Sequence, residues 1–287
     1  MTATAEISVE PGGNGAKPRL RLGGMALRNG LLIHGPTSWA VAARAPDGAV
    51  EVASGRRPVL ARGWLASTPL LRGPLRLAEA LAVLPLARLR LPSARLPFED
   101  PRVLVTAVAT AAASRALRNS DPEAESSLGT TARELLVAAL GALPALAALS
   151  DRNLAAYHGV EHKAIGAYER GSTDPAVAPK EHDRCGSNLI GPLVLCSVAG
   201  QVLAQRLLGE PGPMARAAVG VAGVGTAVEL FAYADRNPNS LAGRAVHRPG
   251  YEIQRLVSTR EPTPEQLEVG RAALTAVLEL EADADQS

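Results

Sequence analysis

The stretch NLIGPLVLCSVAGQVLAQRLL, residues 188–208, decides the fold of this chain. It matches the ~20 mostly apolar residues that a helix needs to cross a bilayer, and a similar stretch, PMARAAVGVAGVGTAVELFA, follows at 213–232. Residues 133–150 form a shorter apolar segment, and residues 102–118 are weaker because their uncharged part is short and rich in alanine. Both weaker segments are also compatible with buried helices of a soluble protein. The sequence predicts a mainly α multi-span helical membrane protein with about four spans.

The composition agrees with a helical fold. Of the 287 residues, 47% are hydrophobic but only 3% are aromatic, so the apolar content is chiefly Ala, Leu and Val. This mixture favours helices over a β-sandwich. The two cysteines are too few for a disulfide framework, which indicates a reducing compartment. The first 20 residues contain no apolar core of a signal peptide, so insertion into a membrane must use the internal segments.

The distribution of positive charge predicts the orientation of the spans. Of the 30 Lys and Arg residues, thirteen lie in residues 1–101, five in 151–187 and six in 233–287. The loops between them, 119–132 and 209–213, contain none. The positive-inside rule therefore places both termini and the 151–187 loop in the cytoplasm, as expected for a multi-pass protein of the plasma membrane.

The N-terminal 101 residues form a cytosolic or interfacial region in this prediction. Residues 1–22 are expected to be disordered. Within residues 23–57, alternating apolar residues flank Pro46-Asp47-Gly48, which predicts a small β-hairpin. Residues 72–91 mix Leu with four Arg and are expected to form an amphipathic helix lying on the cytoplasmic face of the membrane. The alternative is an ordinary helix with a solvated face.

The C-terminal region, residues 233–280, is predicted to be cytosolic and helical. Thr263 can act as an N-cap, with Pro264 at the first helical position and Gln266 placed for a capping box. Leucines and valines then recur at helical spacing, which predicts a final amphipathic helix followed by a frayed acidic tail at 281–287. Basic residues lack the interleaved aromatics of a single-strand binder, so no specific nucleic-acid partner is expected.

The motif His158-Gly-Val-Glu161-His162 is the strongest chemical signal. On a helix, four residues advance about 400°, so the two imidazoles lie one turn apart on one face and can share a metal ion. Glu161 lies near enough to act as a general base on a water molecule, and the order His-x-x-Glu-His is that of the inverted zinc proteases. The alternative is a solvated helix face.

The same loop offers further ligands at His182 and Cys185. Imidazole and thiolate ligands favour a divalent metal such as zinc. Four ligands, His158, His162, His182 and Cys185, would close the site and make the metal structural, whereas three would leave room for a water molecule. Cys185 alone can equally be a free thiol. Two more candidates for the chemistry are Lys163, which can stabilise developing negative charge, and Glu229, an ionisable residue in an apolar span. Glu229 is a candidate acid, base or ligand, or a partner of Arg216 or of a loop arginine.

Several motifs together resemble the YqhQ-like bacterial membrane family, from about residue 23 to residue 280. They are GPTSWAV at 35–41, PDG at 46–48, YHGVEHK at 157–163, HDRCG at 182–186, PGYEIQRL at 249–256 and TREP at 259–262. The resemblance implies a domain of unknown function and a metal-dependent membrane enzyme. This chain departs from the family pattern by having Asn29-Gly30 where an acidic residue precedes the glycine, and Asp183 where a proline is common. No role is carried over to Asn29.

The sequence thus predicts a metal-dependent, zinc-like membrane enzyme that acts as a hydrolase at the cytoplasmic interface. The alternative is a non-catalytic scaffold in which a closed metal site orders the loop for a cytosolic protein partner such as the ribosome or translocon. In both, the lipid bilayer is a partner, and the basic N-terminal region can contact anionic lipid.

Overall fold

The computed structural model describes residues 19–60, 62–119, 127–209 and 211–285. Four strands come first: β1 Gly23–Leu27, β2 Gly30–His34, β3 Ser38–Arg44 and β4 Val50–Arg56. The helices that follow are α1 Trp64–Ser67, α2 Arg72–Arg90, α3 Pro101–Asn119, α4 Ser127–Leu149, α5 Arg152–Glu169, α6 Ile190–Leu208, α7 Pro213–Arg236, α8 Leu241–Ile253 and α9 Pro264–Asp285. A π-helical turn, Gln254–Ser258, follows α8.

The N-terminal region is a four-stranded antiparallel sheet in the order β1-β2-β3-β4. The predicted hairpin is confirmed as β3 and β4, joined through Pro46–Gly48 with Ser38 opposite Arg56 and Arg44 opposite Val50. A second hairpin, β1–β2, precedes it and was not predicted. Because side chains alternate along a strand, each strand contributes to two separate cores.

One face of the sheet packs against α5 and α9, and the other against the second half of α2. Leu31, Ile33 and Ala42 point into the first core, with Val160 of α5 and Leu274 of α9. The second core lies on the opposite face of the sheet. It contains strand residues that alternate with those of the first core, together with residues of α2 and of the segment after it: Leu32, Trp39, Val41, Val83, Ala87, Leu91 and Leu96. The sheet is therefore the middle of three layers, and α5 is held on it from one side.

Three helical segments are long and apolar enough to cross a membrane: Thr131–Leu149, Gly186–Leu208 and Pro213–Arg236. Only 11%, 22% and 22% of their residues are buried, so most of their apolar surface faces outward. This agrees with three of the four predicted spans and with contact to a lipid bilayer. The fourth, residues 102–118, lies in α3 and packs against α4, but is not apolar enough to join the three. The count of four and the orientation stay predictions.

The two ends of the chain differ in part from the expectation. Residues 1–18 of the predicted disordered segment lie outside the described residues, but Leu22 is buried in the first core, so the folded part begins before residue 23. The final helix is confirmed, with Thr263 and Gln266 forming the predicted capping box. It continues through Asp285 rather than fraying at 281, because Glu281 is buried against the sheet.

Candidate metal centre

The two histidines of the motif lie on the face of α5 that is turned towards the 180–185 loop. Asp151 starts the helix by accepting hydrogen bonds from the amides of Asn153 and Leu154. The helical spacing brings the rings of His158 and His162 to 4.4 Å between centroids. The predicted placement of the two imidazoles one turn apart on the same face of a helix is therefore confirmed.

Cys185 completes a group of three. Its Sγ lies 3.4 Å from His158 Nε2, and one nitrogen of each histidine and the sulfur all lie within 4.8 Å of one another. The same Sγ accepts a hydrogen bond from the Ser187 amide at 3.4 Å, which fixes its direction at the start of the short helical turn Gly186–Leu189. Ligands at 2.0–2.3 Å from a tetrahedral zinc ion are roughly 3.5 Å apart, so this spacing fits one.

Backbone carbonyls orient both imidazoles. His158 Nδ1 lies 2.8 Å from the Ser258 carbonyl oxygen, and His162 Nδ1 lies 2.6 Å from that of Lys180. A carbonyl only accepts, so Nδ1 carries the proton in each ring and Nε2 presents a lone pair. His162 Nε2 is buried and has no hydrogen-bond partner in the described part of the chain. A metal-binding histidine usually donates its other ring N–H to a carbonyl or carboxylate in this way.

His182 is not part of this group, although the sequence placed it among the ligands. Its Nε2 lies 3.0 Å from Glu169 Oε2, and its Nδ1 accepts a hydrogen bond from the Arg184 amide at 3.2 Å. Its own amide donates to Gln254 Oε1 at 2.7 Å. Both ring nitrogens are thus occupied, and the ring lies 5.8 Å from that of His162, centroid to centroid.

Glu161 lies beside the three candidate ligands without being one of them. Burial raises the pKa of its carboxyl to about 7, nearby His158 opposes that rise, and Cys185 adds to it. The carboxylate is pressed against β1: a Cβ on Gly24 would lie 2.7 Å from Glu161 Cγ. Only glycine at that point of the strand allows this position.

The environment of the ligands favours the neutral forms. Burial, followed by the proximity of His158, lowers the pKa of His162 well below its usual value. Burial also raises the pKa of the Cys185 thiol. A neutral imidazole is ready to bind a cation, whereas the thiol must release a proton to do so, which makes metal affinity increase with pH.

The structure places Lys163 and Glu229 away from the group. Lys163 Nζ donates to the Ala178 carbonyl at 2.9 Å and pairs with Glu261 at 2.7 Å, so it ties the loop to α5. Glu229 pairs with Arg72, not with Arg216. Neither side chain is directed at the three ligands.

The comparison with known proteins gives one match. A family model described as "Protein of unknown function (DUF1385)" matches residues 136–280, about half of the chain. The chain belongs to this family. No curated protein and no solved structure matches it. The match confirms an uncharacterised family, as the resemblance implied, while the YqhQ-like name and the metal dependence stay predictions.

The part matched by the DUF1385 model includes the three candidate ligands, Glu161 and the two carbonyls behind the histidines. Gly24, which receives the Glu161 carboxylate, lies on the sheet before it. The candidate site therefore combines residues within the matched range 136–280 with one residue, Gly24, outside it.

Sequence reasoning missed the residues that support the site. Gln254 is fully buried in the π-helical turn, where its side chain accepts from the His182 amide and donates to Ser187 Oγ at 2.9 Å. Ser258 ends the same turn and supplies the carbonyl behind His158. The sequence signal for Gln254 was its place in the PGYEIQRL motif at 249–256, whereas the Ser258 carbonyl has no sequence signature.

Two neighbouring clefts flank the loop that carries Cys185. One, of about 340 Å³, is lined by residues of α5 and the loop, among them Glu169, Glu181 and His182. The other, of about 690 Å³, is lined by α8 residues, among them Arg244 and His247. Both are bounded by Asp183, Asp235 and Tyr251, so one continuous depression runs from α5 to α8.

Proposed function

We propose that this DUF1385 protein is a metal-dependent integral membrane hydrolase that acts at the cytoplasmic interface, with a divalent ion, most fittingly zinc, held by His158, His162 and Cys185. The substrate class is a peptide or a lipid-linked molecule. Glu161 is the general base.

The observation that supports the proposal is the orientation of the ligand atoms. One nitrogen of each imidazole and one Sγ lie within 4.8 Å of one another, and the Nδ1 atom of each imidazole is bonded to a backbone carbonyl. Two imidazoles and a thiolate suit zinc better than magnesium or calcium. Three protein ligands rather than four are typical of catalytic zinc sites, because the fourth position is kept for water or substrate.

The chemistry follows from the neighbours of the site. A bound divalent ion would supply a Lewis acid that polarises the substrate and lowers the pKa of water. The Glu161 carboxylate interacts electrostatically with both His158 and Cys185 and lies against Gly24; it would take the proton of the attacking water and return it to the leaving group. The water oxygen then forms the new bond to the electrophile as the leaving-group bond breaks.

The distance from the membrane supports the interfacial location. Only Ser150 and Asp151 separate α4 from α5, and α4 contains one of the three segments that can cross a membrane. His158 lies about 10 Å beyond the start of α5 at 1.5 Å per residue. A substrate anchored in the same leaflet can therefore reach the site.

Metal analysis of the detergent-purified protein tests the proposal. We expect about one zinc equivalent in the wild type and in Glu161→Gln, and none in Cys185→Ser or His158→Ala. His182→Gln is the matched control, since it changes a histidine of the same loop that is bonded to Glu169, and it should retain the metal. If no variant or wild-type preparation holds stoichiometric metal, the proposal fails.

A second candidate is a non-catalytic scaffold with a structural metal. It is favoured by one observation: the ligands and their carbonyls come from α5, the 180–185 loop and the π-helical turn, so a metal would join three segments. Such a scaffold could present the loop to a ribosome or translocon surface. Glu161→Gln separates the two functions. If the protein is an enzyme, cells that carry this variant should lose its function; if it is a scaffold, they should behave like the wild type.

A further inference from the structure

The segment that leads into α2 is seated against the middle of α7. A Cβ on Gly225 would lie 2.2 Å from the carbonyl oxygen of Leu70, and a Cβ on Gly73 would lie 2.8 Å from Val228 Cβ. Two glycines, one on each side, therefore permit an approach that any larger residue would prevent. The start of α2 and the middle of α7 are therefore closely packed against each other.

An ion pair closes the same contact. Arg72 Nε lies 2.6 Å from Glu229 Oε1, and Arg72 Nη2 lies 2.5 Å from Oε2. This is a bidentate pair in which each charge is neutralised by the other. Charged residues at membrane depth are expected to be paired in this way because an isolated charge is costly there.

The contact lies deep along α7. Gly225 is about 16 Å from Arg236, measured along the helix at 1.5 Å per residue. Since the hydrocarbon layer is about 30 Å thick, this position is close to its middle. The other end of α2 reaches the sheet, where Val83 and Ala87 are fully buried in the second core. Helix α2 therefore runs from the middle of α7 to the sheet.

The backbone of the turn is suited to that depth. Five amides are hydrogen-bonded to carbonyls within the segment: Leu65 to Arg62, Ala66 to Gly63, Thr68 to Trp64, Arg72 to Thr68 and Leu75 to Leu71. The hydroxyls of Ser67 and Thr68 both donate to the Trp64 carbonyl, at 3.0 and 2.7 Å. Hydrocarbon offers no partner to backbone or hydroxyl groups, so internal bonds of this kind are a condition for entering it.

The outer surface of the segment is apolar. Trp64 is 70% exposed, and four leucines on the turn and on α2 are 39–50% exposed: Leu70, Leu71, Leu77 and Leu81. Leu77 and Leu81 are one helical turn apart, so they share a face of α2. The exposed Arg62 and Arg76 have long side chains that can extend to the headgroups.

We propose that residues 62–78 form a re-entrant segment, which enters the hydrocarbon layer from the side on which the sheet lies, turns at Leu70 and contacts lipid acyl chains through Trp64 and the exposed leucines. This inference rests on the proposed membrane location, in which α7 crosses the bilayer. The segment is thereby a fourth membrane-embedded element that passes through one leaflet only.

Tryptophan fluorescence in proteoliposomes tests the inference, because the chain has two tryptophans in opposite environments. Trp39 is 1% exposed within the sheet layer, whereas Trp64 is on the outer surface. In Trp39→Phe the emission comes from Trp64 alone. Lipids brominated near the chain middle should quench it more than lipids brominated next to the headgroup, and iodide in the water should leave it unquenched. Stronger quenching next to the headgroup, or by iodide, overturns the re-entrant segment.

Two further variants keep the result interpretable. If Trp39→Phe does not fold, the emission of Trp64 follows from the difference between the wild type and Trp64→Phe. Val221→Trp in the Trp64→Phe chain, compared with Trp64→Phe itself, reports on the exposed surface of α7. Lipid quenching there with none at Trp64 rejects the re-entrant segment alone, whereas no lipid quenching at either position rejects the membrane location itself.

Discussion

His158 Nε2 and Cys185 Sγ face each other across 3.4 Å, although 27 positions separate the two residues in the chain. The histidine is held from behind by the Ser258 carbonyl, and the sulfur by the Ser187 amide. Neither atom can turn away without losing a hydrogen bond, so the two atoms are held where they could share the metal ion proposed above.

The first prediction concerns the buried glutamine that supports this pair. Gln254→Ala removes the bonds to the His182 amide and to Ser187, so the loop that carries Cys185 loses its support. We expect metal affinity to fall by roughly 10- to 100-fold, as it does when other groups that orient metal ligands are removed. Titration with Co²⁺, followed by its visible absorption, measures this. Gln266→Ala, which changes an exposed cap at a distance from the site, should leave the affinity unchanged; equal affinity in both variants would contradict the role of Gln254.

The second prediction concerns Gly24. In Gly24→Ala the new methyl group would overlap Glu161 Cγ at 2.7 Å, so the carboxylate must move. We expect a cost of about 1–3 kcal/mol in stability and a loss of activity with the metal retained. Thermal unfolding in detergent measures the loss of stability, and metal analysis shows whether the metal is retained. Gly141→Ala, where an added Cβ meets nothing within 4 Å, should lower neither the unfolding temperature nor the metal content. If Gly24→Ala also leaves the unfolding temperature unchanged, the proposed fit of Glu161 is wrong.

The third prediction concerns Glu281 at the end of α9. Its carboxylate accepts hydrogen bonds from the amides of Thr37 and Ser38, at 2.9 and 2.7 Å. Glu281→Ala leaves both donors without this acceptor, which should cost about 2–4 kcal/mol. The exposed Glu279 on the same helix is the control, and its change to Ala should stay within about 0.5 kcal/mol. Similar unfolding temperatures for the two variants would contradict the assignment.

The fourth prediction is a pH dependence of stability from His34. Burial, followed by the charge of Arg57, lowers the pKa of this histidine in the folded chain. As the pH falls below 6.5, the unfolded chain takes up a proton that the folded chain does not, so stability present above pH 6.5 is lost towards the lower folded pKa. His34→Gln should make the unfolding temperature less dependent on pH between neutrality and pH 5. An unchanged slope would exclude His34 as the cause.

The apolar segments and the final helix could be predicted because their signals are local. Residues 188–208 and 213–232 correspond closely to α6 and α7, and the Thr263 cap begins α9 as expected. The hairpin β3–β4 was predicted from its turn motif, whereas the Asn29-Gly30 pair at the turn of β1–β2, also typical of a hairpin, was overlooked. The packing of the start of α2 against α7 could not be predicted, because it depends on which residues α7 presents to Gly73 and Arg72.

The sequence by itself determined the helix-borne half of the site, because the spacing of His158, Glu161 and His162 sets their directions on any helix. Only the tertiary structure decided the other half. It brought Cys185 to His158, and it turned His182 away towards Glu169. The carbonyls that orient the imidazoles belong to Lys180 and Ser258, and every residue has a carbonyl. Which of them reaches a histidine depends on how the distant segments pack, and residue type alone carries no information about that.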